Sequence, residues 1–486
     1  MYKRQPFRLD TKVIDDNSVE ILTRGDHNIK LSIRENRKEP KNSFAKDLAE
    51  YALRFAMMPR SLSFRWRGSH SLNLPQFSPN IGDVFGQSNK YGPMSPGLDF
   101  AFGFYDDSYV KKALDRGWLL TSPEMVSPAV WNQGKEFNFE LTLEPVKGLK
   151  ILLTSNLTDN RTRQIQFMFQ GMPTTHSGSY VRTHVALASA LRSSKAENGY
   201  ASEAFSKFLE YIPIVADRVE AAYSGSTYPD AGFLEGSPLA GTVYNPVVGS
   251  VSPTSADVLI PAFIAAYSGY DPQKVTLQHF PGLEAMRPNW RVTYDGFLQL
   301  GNMSKIFKSF TINHAYQCTY SVGSYSSYMN WVGINGGSMG FAYDELTQQP
   351  IPSSPYNISS VSITEKFAPL IGVNMTFKND ITVNAEYRDA RTLNLNSSAG
   401  QVVETYSRQL SIGGGWKVAD FSRFIKIGSK QGGASNDLSV NLDIAYSNNM
   451  SLIRRIETAY TQATHGTSTF SINFMACLLY TSDAAD

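Results

Sequence analysis

The chain has very few cysteines and no long apolar run, and each absence excludes a class of protein. Only two of its 486 residues are cysteines, Cys318 and Cys477, so a disulfide framework is excluded. The longest apolar stretch, residues 258–267, contains Pro261 and falls far short of the ~20 residues that a membrane-spanning helix needs. Any residence in a membrane must therefore rely on β-strands.

The chain also lacks an excess of charge of either sign. Its formal net charge is +2 and it contains no long basic run, so its charge does not favour nucleic acid as a partner. The seven histidines show no spacing typical of a metal site. His176 and His184 fall at opposite ends of one predicted strand, too far apart for one ion. We therefore predict no metal, no cofactor and no nucleic-acid partner.

Two glycine-rich strings resemble functional motifs but lack the context that the chemistry requires. Residues 336–340 (GGSMG) match the nucleophile-elbow pattern, which needs a helix directly after the serine, yet residues 341–346 offer no clear helix. Residues 413–415 (GGG) precede Trp416 without the helix start or Lys-Ser/Thr of a phosphate loop, so a strand bend explains them better. We predict that the protein is not an enzyme.

Apolar and polar side chains alternate repeatedly between residues 367 and 474. The pattern runs through residues 367–377, with Leu370 as the one bulky exception, and returns in residues 381–388, 438–446 and 470–474. Because successive side chains of a strand point to opposite faces, each segment predicts a strand with one apolar and one polar face. Such strands, joined by tight turns and charged on the polar face, are typical of a membrane barrel with a water-filled lumen.

The sequence therefore predicts a mainly β fold, an antiparallel transmembrane β-barrel with α-helical and irregular insertions. The apolar positions predicted to face lipid are Ile371, Val373, Met375, Phe377, Ile381, Val383, Tyr387, Val440, Leu442 and Ile444. The polar positions predicted to face the lumen are Asn374, Thr376, Asn384, Glu386, Arg388, Asn441 and Asp443.

Helices and further strands are predicted in the rest of the chain. Apolar residues at helical spacing predict a helix in residues 201–223, which Pro213 would kink or split, and a short helix in residues 256–267. A further helix candidate is residues 43–55. The additional predicted strands are residues 18–23, 28–33, 61–66, 137–143, 149–157, 164–170 and 180–190, with turns at 144–148 and 158–161.

These elements predict an alternation of barrel strands and insertions along the chain. The predicted segments are a charged segment with barrel strands (6–72), a Pro/Gly-rich irregular insertion (73–136), barrel strands (137–190), a helical and loop insertion (191–288) and barrel strands (289–476). Both ends resemble translated sequencing-adapter sequence. Residues 1–5 (MYKRQ) and 477–486 (CLLYTSDAAD) are therefore expected to be foreign to the fold.

Turn lengths predict an orientation. Turns at residues 397–400 and 447–449 are predicted on one side, and those at 378–380, 419–436 and 462–467 on the other. Outer-membrane barrels have short periplasmic turns and longer outside loops, so the 419–436 loop is predicted to be extracellular.

Several long strings resemble the C-terminal part of the SprA/Sov family, the outer-membrane translocons of the type IX secretion system in Bacteroidetes. The resemblance extends over most of residues 8–476. The strings are residues 98–119 (LDFAFGFYDDSYVKKALDRGWL), 287–296 (RPNWRVTYDG), 310–325 (FTINHAYQCTYSVGSY), 367–388 (FAPLIGVNMTFKNDITVNAEYR) and 448–463 (NNMSLIRRIETAYTQA).

The resemblance implies that the chain is one piece of a single very large barrel in the Gram-negative outer membrane, at the cell surface. It implies export of folded cargo proteins that carry a type IX C-terminal signal domain, and a link to gliding motility in some members. It also implies contact with outer-membrane lipid and a lateral opening gated by PorV-like and plug proteins. A fragment of this kind is not expected to close a barrel alone.

Two other classes of protein share the alternating pattern. A soluble or cell-surface β-sandwich adhesin or glycan-binding module would have strands of about 5–6 residues, whereas outer-membrane strands need about 9–11. The segments 367–377 and 381–393 are on the long side. A TonB-dependent-type nutrient transporter would carry a small plug domain ahead of its barrel.

Overall fold

A computed structural model of the chain describes residues 10–15, 18–22, 57–80, 85–120, 127–167, 174–192, 194–299, 301–334, 337–418 and 435–481. The chain divides into two compact units, Met1–Phe55 and Ala56–Asp486. In the first unit, β1 (Asp10–Asp15) and β2 (Ser18–Leu22) pair as an antiparallel hairpin, and β2 confirms the strand predicted at residues 18–23. The strand predicted at residues 28–33 and the helix predicted at residues 43–55 lie outside the described residues.

The second unit contains an antiparallel sheet of twelve strands. Its strands and those of a smaller sheet are β3 (Pro59–Asn73), β4 (Ala129–Val146), β5 (Leu149–Ile165), β6 (Thr175–Thr183), β7 (Asn289–Tyr294), β8 (Phe307–Ser327), β9 (Trp331–Gly333), β10 (Gly340–Asp344), β11 (Gln349–Ser353), β12 (Tyr356–Asn357), β13 (Ser360–Phe377), β14 (Ile381–Asn396), β15 (Gln401–Val418), β16 (Ser435–Arg455) and β17 (Thr461–Thr481). The large sheet runs in the order β17-β16-β15-β14-β13-β8-β6-β5-β4-β3, with β7 paired to β5 and β8 and β12 paired to β8. The smaller sheet is β11-β10-β9. The predicted mainly β, antiparallel class is confirmed, and the described strands form an open sheet.

Helices occupy the connections. They are α1 (Leu98–Ala101), α2 (Tyr109–Asp115), α3 (Glu203–Tyr223), α4 (Ala256–Ser268) and α5 (Met303–Ile306). The two helices predicted by spacing correspond to α3 and α4. Helix α3 begins where the Ser202 side chain accepts a hydrogen bond from the Phe205 amide, and it is not split at Pro213. Helix α4 ends at Gly269, whose φ of 74° gives a left-handed C-terminal cap.

Several predicted turns are wrong. Residues 158–161 lie inside β5, residues 447–449 lie inside β16, and residues 462–467 lie in the first part of β17. The turn between β16 and β17 is instead formed by residues 456–460, where the Arg455 amide donates to the Tyr460 carbonyl at 2.9 Å. Residues 158–161 and 447–449 contain Asn, Asp or Ser, which favour turns, yet here they are paired in the ladders of their strands. Residues 462–467 pair with β16 on both sides of a register shift between Ser451 and Leu452.

Some predicted boundaries also differ from the structure. Strand β4 begins at Ala129, inside the predicted irregular insertion. Of the strand predicted at residues 164–170, residues 164–165 are the end of β5, and residues 168–170 lie outside the described residues. Strand β6 ends at Thr183, before the predicted limit of residue 190. Strand β17 continues through residues 477–481, which were predicted to be foreign to the fold.

Strands β6 and β7 share one position in the sheet and are separated by a long insertion. Both are antiparallel to β5 and β8: β6 pairs with residues 157–164 of β5, and β7 pairs with residues 149–154. Residues 184–288 leave the sheet between them. The His184 amide donates to the Cys318 carbonyl at 3.0 Å, and the Cys318 amide donates to Asn289 Oδ1 at 2.8 Å. Both ends of the insertion are therefore attached to one residue of β8.

The two ends of the large sheet carry connections of different length. At the end here called the lower end, residues 147–148, 295–306 and 378–380 connect neighbouring strands, and β15 and β16 are also joined there. At the opposite, upper end, residues 74–128 and 328–359 form long connections, and residues 397–400 and 456–460 form short turns. The insertion 184–288 leaves the sheet partway along the strands, toward the upper end.

The two faces of the sheet differ in polarity. One face, here called the banded face, carries a band of apolar side chains in its lower half, which includes the cross-strand row Val373–Ala385–Ile412–Ile444–Ile472. Its upper half carries the row Ile363–Leu393–Glu404–Leu452. The polar face carries the row Asn374–Asn384–Gly413–Asp443–Asn473. Residues directly opposite in a ladder share a face, so these rows fix the faces of the intervening strands.

The upper half of the banded face is covered by the connections. Helix α4 is buried over residues 258–268, and its Phe263 packs on Phe208 of α3 with ring centroids 6.0 Å apart. The main apolar core joins these helices to Tyr316, Phe367 and Leu393 of the sheet. A second core around Trp118 packs residues 74–119 onto Leu72, Ala129 and Ile165 of β3, β4 and β5. The connections thus form the core on one face only.

Candidate functional site

The predicted lumen-facing residues lie together on the polar face. Asn374 pairs with Asn384, Asn384 with Gly413, and Gly413 with Asp443, in a row that crosses four strands. Thr376 and Asn441 belong to the next row, which crosses Thr382 and Gly415. One row toward the upper end, Arg388 Nη2 lies 2.5 Å from Glu386 Oε2. The structure therefore places all these side chains on one hydrophilic surface.

The glycines at 413 and 415 make room for amide and hydroxyl groups on this surface. A Cβ at Gly413 would lie 2.0 Å from Asn384 Oδ1 and 2.5 Å from Asp443 Oδ1. The ladders on both sides of β15 continue through these glycines without a register shift. The predicted strand bend is therefore not accompanied by a β-bulge. The absence of a side chain at these glycines leaves space for the side chains of the neighbouring strands, which extend over β15.

The predicted lipid-facing residues lie on the lower half of the banded face. Met375, Val383 and Leu442 share one row, and Val373 and Ile444 share the row above it. Each predicted position is partly or fully exposed; Ile371, for example, is 60% exposed. Contact with lipid stays a prediction.

The apolar band in the structure includes more strands than the predicted set of lipid-facing residues. It continues through Ile312 and Phe310 of β8 to the opposite edge of the sheet, where Phe64 of β3 pairs with Phe139 of β4. Phe64 at one edge and Phe474 at the other are each 66% exposed. The additional band residues are Leu62, Phe64, Trp66, Leu141, Leu143, Ile151, Val292, Tyr294, Phe310, Ile312, Leu410, Ile412, Trp416, Phe470, Ile472 and Phe474. The alternation of apolar and polar residues in residues 61–66 was the sequence signal that could have placed β3 in the band.

The covered half of the banded face contains a buried ion pair that the sequence analysis missed. Arg391 Nε lies 2.7 Å from Glu365 Oε2, and both side chains are at least 95% buried. Arg391 also donates to the Ser189 carbonyl at 2.6 Å and to the Ala186 carbonyl at 3.0 Å. Burial raises the pKa of Glu365, and the nearby Arg391 guanidinium opposes that shift. The pair attaches the start of the insertion to the sheet.

A second buried ion pair lies beside the first. Arg454 Nη2 is 2.8 Å from Glu404 Oε2, and Arg454 also donates to Ser194 Oγ at 2.8 Å. The Tyr267 hydroxyl of α4 donates to Glu404 Oε1 at 2.7 Å. Burial raises the pKa of Tyr267 well above its usual range, and the Glu404 charge adds to this effect. These contacts connect the sheet directly to the most buried helix of the insertion.

The structure offers no conventional catalytic or metal geometry at the predicted motifs. Ser338 lies on the loop between β9 and β10, so a strand rather than a helix follows it. In the described ranges, no cluster of three or more His, Cys, Asp or Glu side chains could hold a metal ion. No helix of that part of the chain combines the length and the apolar character needed to cross a membrane.

The chain was compared with protein-family models and with curated proteins. No protein-family model matches the chain, and no curated protein matches it.

Proposed function

We propose that the chain forms part of the wall of an outer-membrane channel that exports folded proteins, as its resemblance to type IX translocons implies. The observation that carries the proposal is the lower half of the sheet, where an exposed apolar band on one face lies back to back with a polar face. A membrane wall requires this combination, because one side contacts lipid and the other water. The sheet would be one part of a very large barrel.

The height of the band supports a membrane span. On β16 the band covers residues 438–446. About nine residues at ~3.4 Å each, tilted by ~40°, rise about 23 Å, close to the ~25 Å of an outer-membrane apolar band. The strands of the wall are also long: β13 has 18 residues and β16 has 21. Strands of this length favour the membrane wall over the β-sandwich alternative.

The polar face suits the passage of hydrated protein. On β13 to β16 its rows at the level of the band consist mainly of Asn, Thr, Ser and Gly, with Asp443 and the ion pairs Glu386–Arg388 and Asp437–Lys417 as charges. On β3, β4, β5 and β7 the same face also carries Arg65, Glu140, Lys150 and Arg291. Hydrogen-bonding groups and charges of both signs hold water without attracting one sign of charge. Cargo domains with type IX signals, PorV-like partners and a plug protein enter this proposal through the resemblance alone. We propose a conduit and not an enzyme.

A pair of neighbouring cysteines tests the membrane wall. In a Cys477→Ser background, a polarity-sensitive fluorophore on Ile412→Cys should be quenched by lipids brominated in their acyl chains. The same fluorophore on Ser411→Cys, on the opposite face at the same level, should be quenched by iodide in water instead. Cys318 is fully buried, and burial raises its thiol pKa to about 12, so it should not be labelled. Equal lipid quenching at both positions would contradict the proposal.

We further propose that the upper end of the sheet faces the outside. The opposite orientation predicted from the sequence placed the 419–436 loop outside, and residues 419–434 of that loop lie outside the described residues. It also used turns at 447–449 and 462–467, which lie inside strands. The long connections 74–128 and 328–359 and the insertion 184–288 all lie toward the upper end. Because outside loops are the longer ones in outer-membrane barrels, the lower end becomes the periplasmic one. The insertion then lies outside the membrane, on the lipid-facing side of the wall above the band.

Exposed turns at the two ends provide a test of orientation. In the Cys477→Ser background, a membrane-impermeant maleimide should label Ser398→Cys in whole cells. It should label Asn379→Cys only after the outer membrane is ruptured. Both residues are exposed on short turns, so a difference reports their side of the membrane. Labelling of Asn379→Cys in intact cells, with Ser398→Cys protected, would reverse the orientation.

A further inference from the structure

A cavity of about 430 Å³ lies between the insertion 184–288, the connection 328–359 and the sheet. Helix α3 contributes Tyr223, α4 contributes Asp257, and the segment after α4 contributes His279 and Phe280. Tyr356 and Ser338 come from the connection, and Arg161 comes from β5. The volume falls in the range of small-molecule sites. Nothing in the proposed conduit function uses this cavity.

His279 Nε2 is a buried nitrogen that makes no hydrogen bond with any of the residues that the structure describes. The His279 side chain is 6% exposed, and its Nε2 lies 3.2 Å from Asp257 Oδ1. That carboxylate oxygen nevertheless lies away from the direction of an Nε2 hydrogen, so Nε2 forms no hydrogen bond. A buried polar atom without a partner is costly unless a water or ligand satisfies it. His279 lines the cavity, while Nε2 itself is covered by the surrounding protein.

Asp257 supplies an acceptor next to His279. Its Oδ2 accepts a hydrogen bond from the Ser354 amide at 3.0 Å, which fixes the carboxylate. Its Oδ1 has only the misaligned contact with His279. The Ser354 hydroxyl is also buried without a hydrogen-bond partner. A donor, an acceptor and a hydroxyl are therefore held together at one side of the cavity.

Aromatic rings also line the cavity. The Phe280 ring lies 5.5 Å from the Tyr356 ring and 4.6 Å from the Tyr325 ring, which holds it in place. Tyr223 is almost fully buried beside them. Arg161 is already paired with Asp159, at 2.8 Å, so the Asp257 carboxylate remains as a hydrogen-bond acceptor at the cavity. A carboxylate acceptor beside aromatic rings suits a ligand with one apolar face and several hydroxyl groups.

We propose that this cavity binds a neutral sugar ring. A pyranose presents C–H groups that pack on aromatic rings, and its hydroxyls both donate and accept hydrogen bonds. Asp257 Oδ1 accepts from one hydroxyl, and the His279 ring lies beside that hydroxyl. With the upper end outside, the site would lie at the cell surface and would attach the wall to surface glycan. Sugar binding itself does not depend on the conduit function.

Saturation-transfer NMR on the full chain in detergent tests this site. The probes are the methyl glycosides of glucose, galactose, mannose and N-acetylglucosamine, with N-acetyltyrosine amide as a competing aromatic ligand. We expect at least one glycoside to receive saturation and to saturate on titration. Asp257→Asn should weaken its Kd roughly tenfold or more, since a hydrogen bond to a charged group is lost.

Two tryptophan variants keep the test decisive if Asp257→Asn fails to fold. Ser338→Trp places an indole at the cavity from an exposed loop position and should abolish binding. Leu346→Trp, on an adjacent turn and 95% exposed, should leave the Kd unchanged. The proposal would be overturned if no glycoside receives saturation, if Ser338→Trp binds as well as the unaltered chain, or if only N-acetyltyrosine amide binds.

Discussion

Arg391→Met is expected to lower the free energy of unfolding by about 3–5 kcal/mol. The substitution leaves Glu365, which is 98% buried, without its cationic partner. It also removes the hydrogen bonds to the carbonyls of Ala186 and Ser189 at the start of the insertion. An uncompensated buried charge is costly because the protein interior solvates it poorly. Urea titration of the chain folded into lipid vesicles measures the change.

Arg388→Met provides the matched control on the same strand. Arg388 also pairs with a glutamate, Glu386, but on the polar face and with half of its side chain exposed. Water solvates both partners there, so we expect a change of about 0–1 kcal/mol. The double variant Glu365→Leu with Arg391→Met should recover part of the loss, because neither charge remains. Equal effects of Arg391→Met and Arg388→Met would show that the buried pair is not formed.

The sequence was sufficient to assign faces where strands alternate without interruption. Val373 and Asn374, or Val383 and Asn384, differ in face simply because they are neighbours on a strand, and the ladders place both apolar residues on the banded face. This information is local, so it needs no knowledge of the partner strands. The ladder register was still required to join β3, β4 and β5 to the same band.

Turn residues misled the prediction for a physical reason. Ser447 and Asn449 favour turns in most proteins, yet they lie on the polar face of β16, opposite Gln409 and Ser407 of β15. A solvated face accepts such residues at little cost, because their side chains remain in water. The rule that associates Asn and Ser with turns therefore fails on a strand whose one face is hydrophilic throughout.

The buried ion pairs and the split strand depend on contacts that are remote in sequence. Glu365 and Arg391 stand at positions where alternation predicts an apolar residue, and only the insertion explains their burial. Residues 180–190 have the composition of a strand, but the chain leaves the sheet at His184 and returns at Asn289. No local sequence pattern indicates that the chain leaves the sheet there. For the buried ion pairs, the one available signal was that charged residues interrupt the alternation.

Val383→Arg is expected to destabilise the chain in a bilayer by about 2–4 kcal/mol. Val383 lies between Met375 and Gly414 in a middle row of the apolar band, and its side chain is partly exposed on the banded face. If that face contacts lipid, the guanidinium must enter hydrocarbon or distort the bilayer to reach the headgroups. The free energy of folding into lipid vesicles, measured by urea titration, reports this cost.

Asn384→Arg is the matched control, because Asn384 follows Val383 directly and points to the polar face. An arginine there remains in water and lies beside Asp443, which occupies the same cross-strand row. We therefore expect a change of about 0–1 kcal/mol. The difference between the two variants isolates the face, since strand, depth and introduced charge are the same. A cost at Asn384 that equals or exceeds the cost at Val383 would show that the banded face does not meet lipid, and the membrane wall would then have to be abandoned.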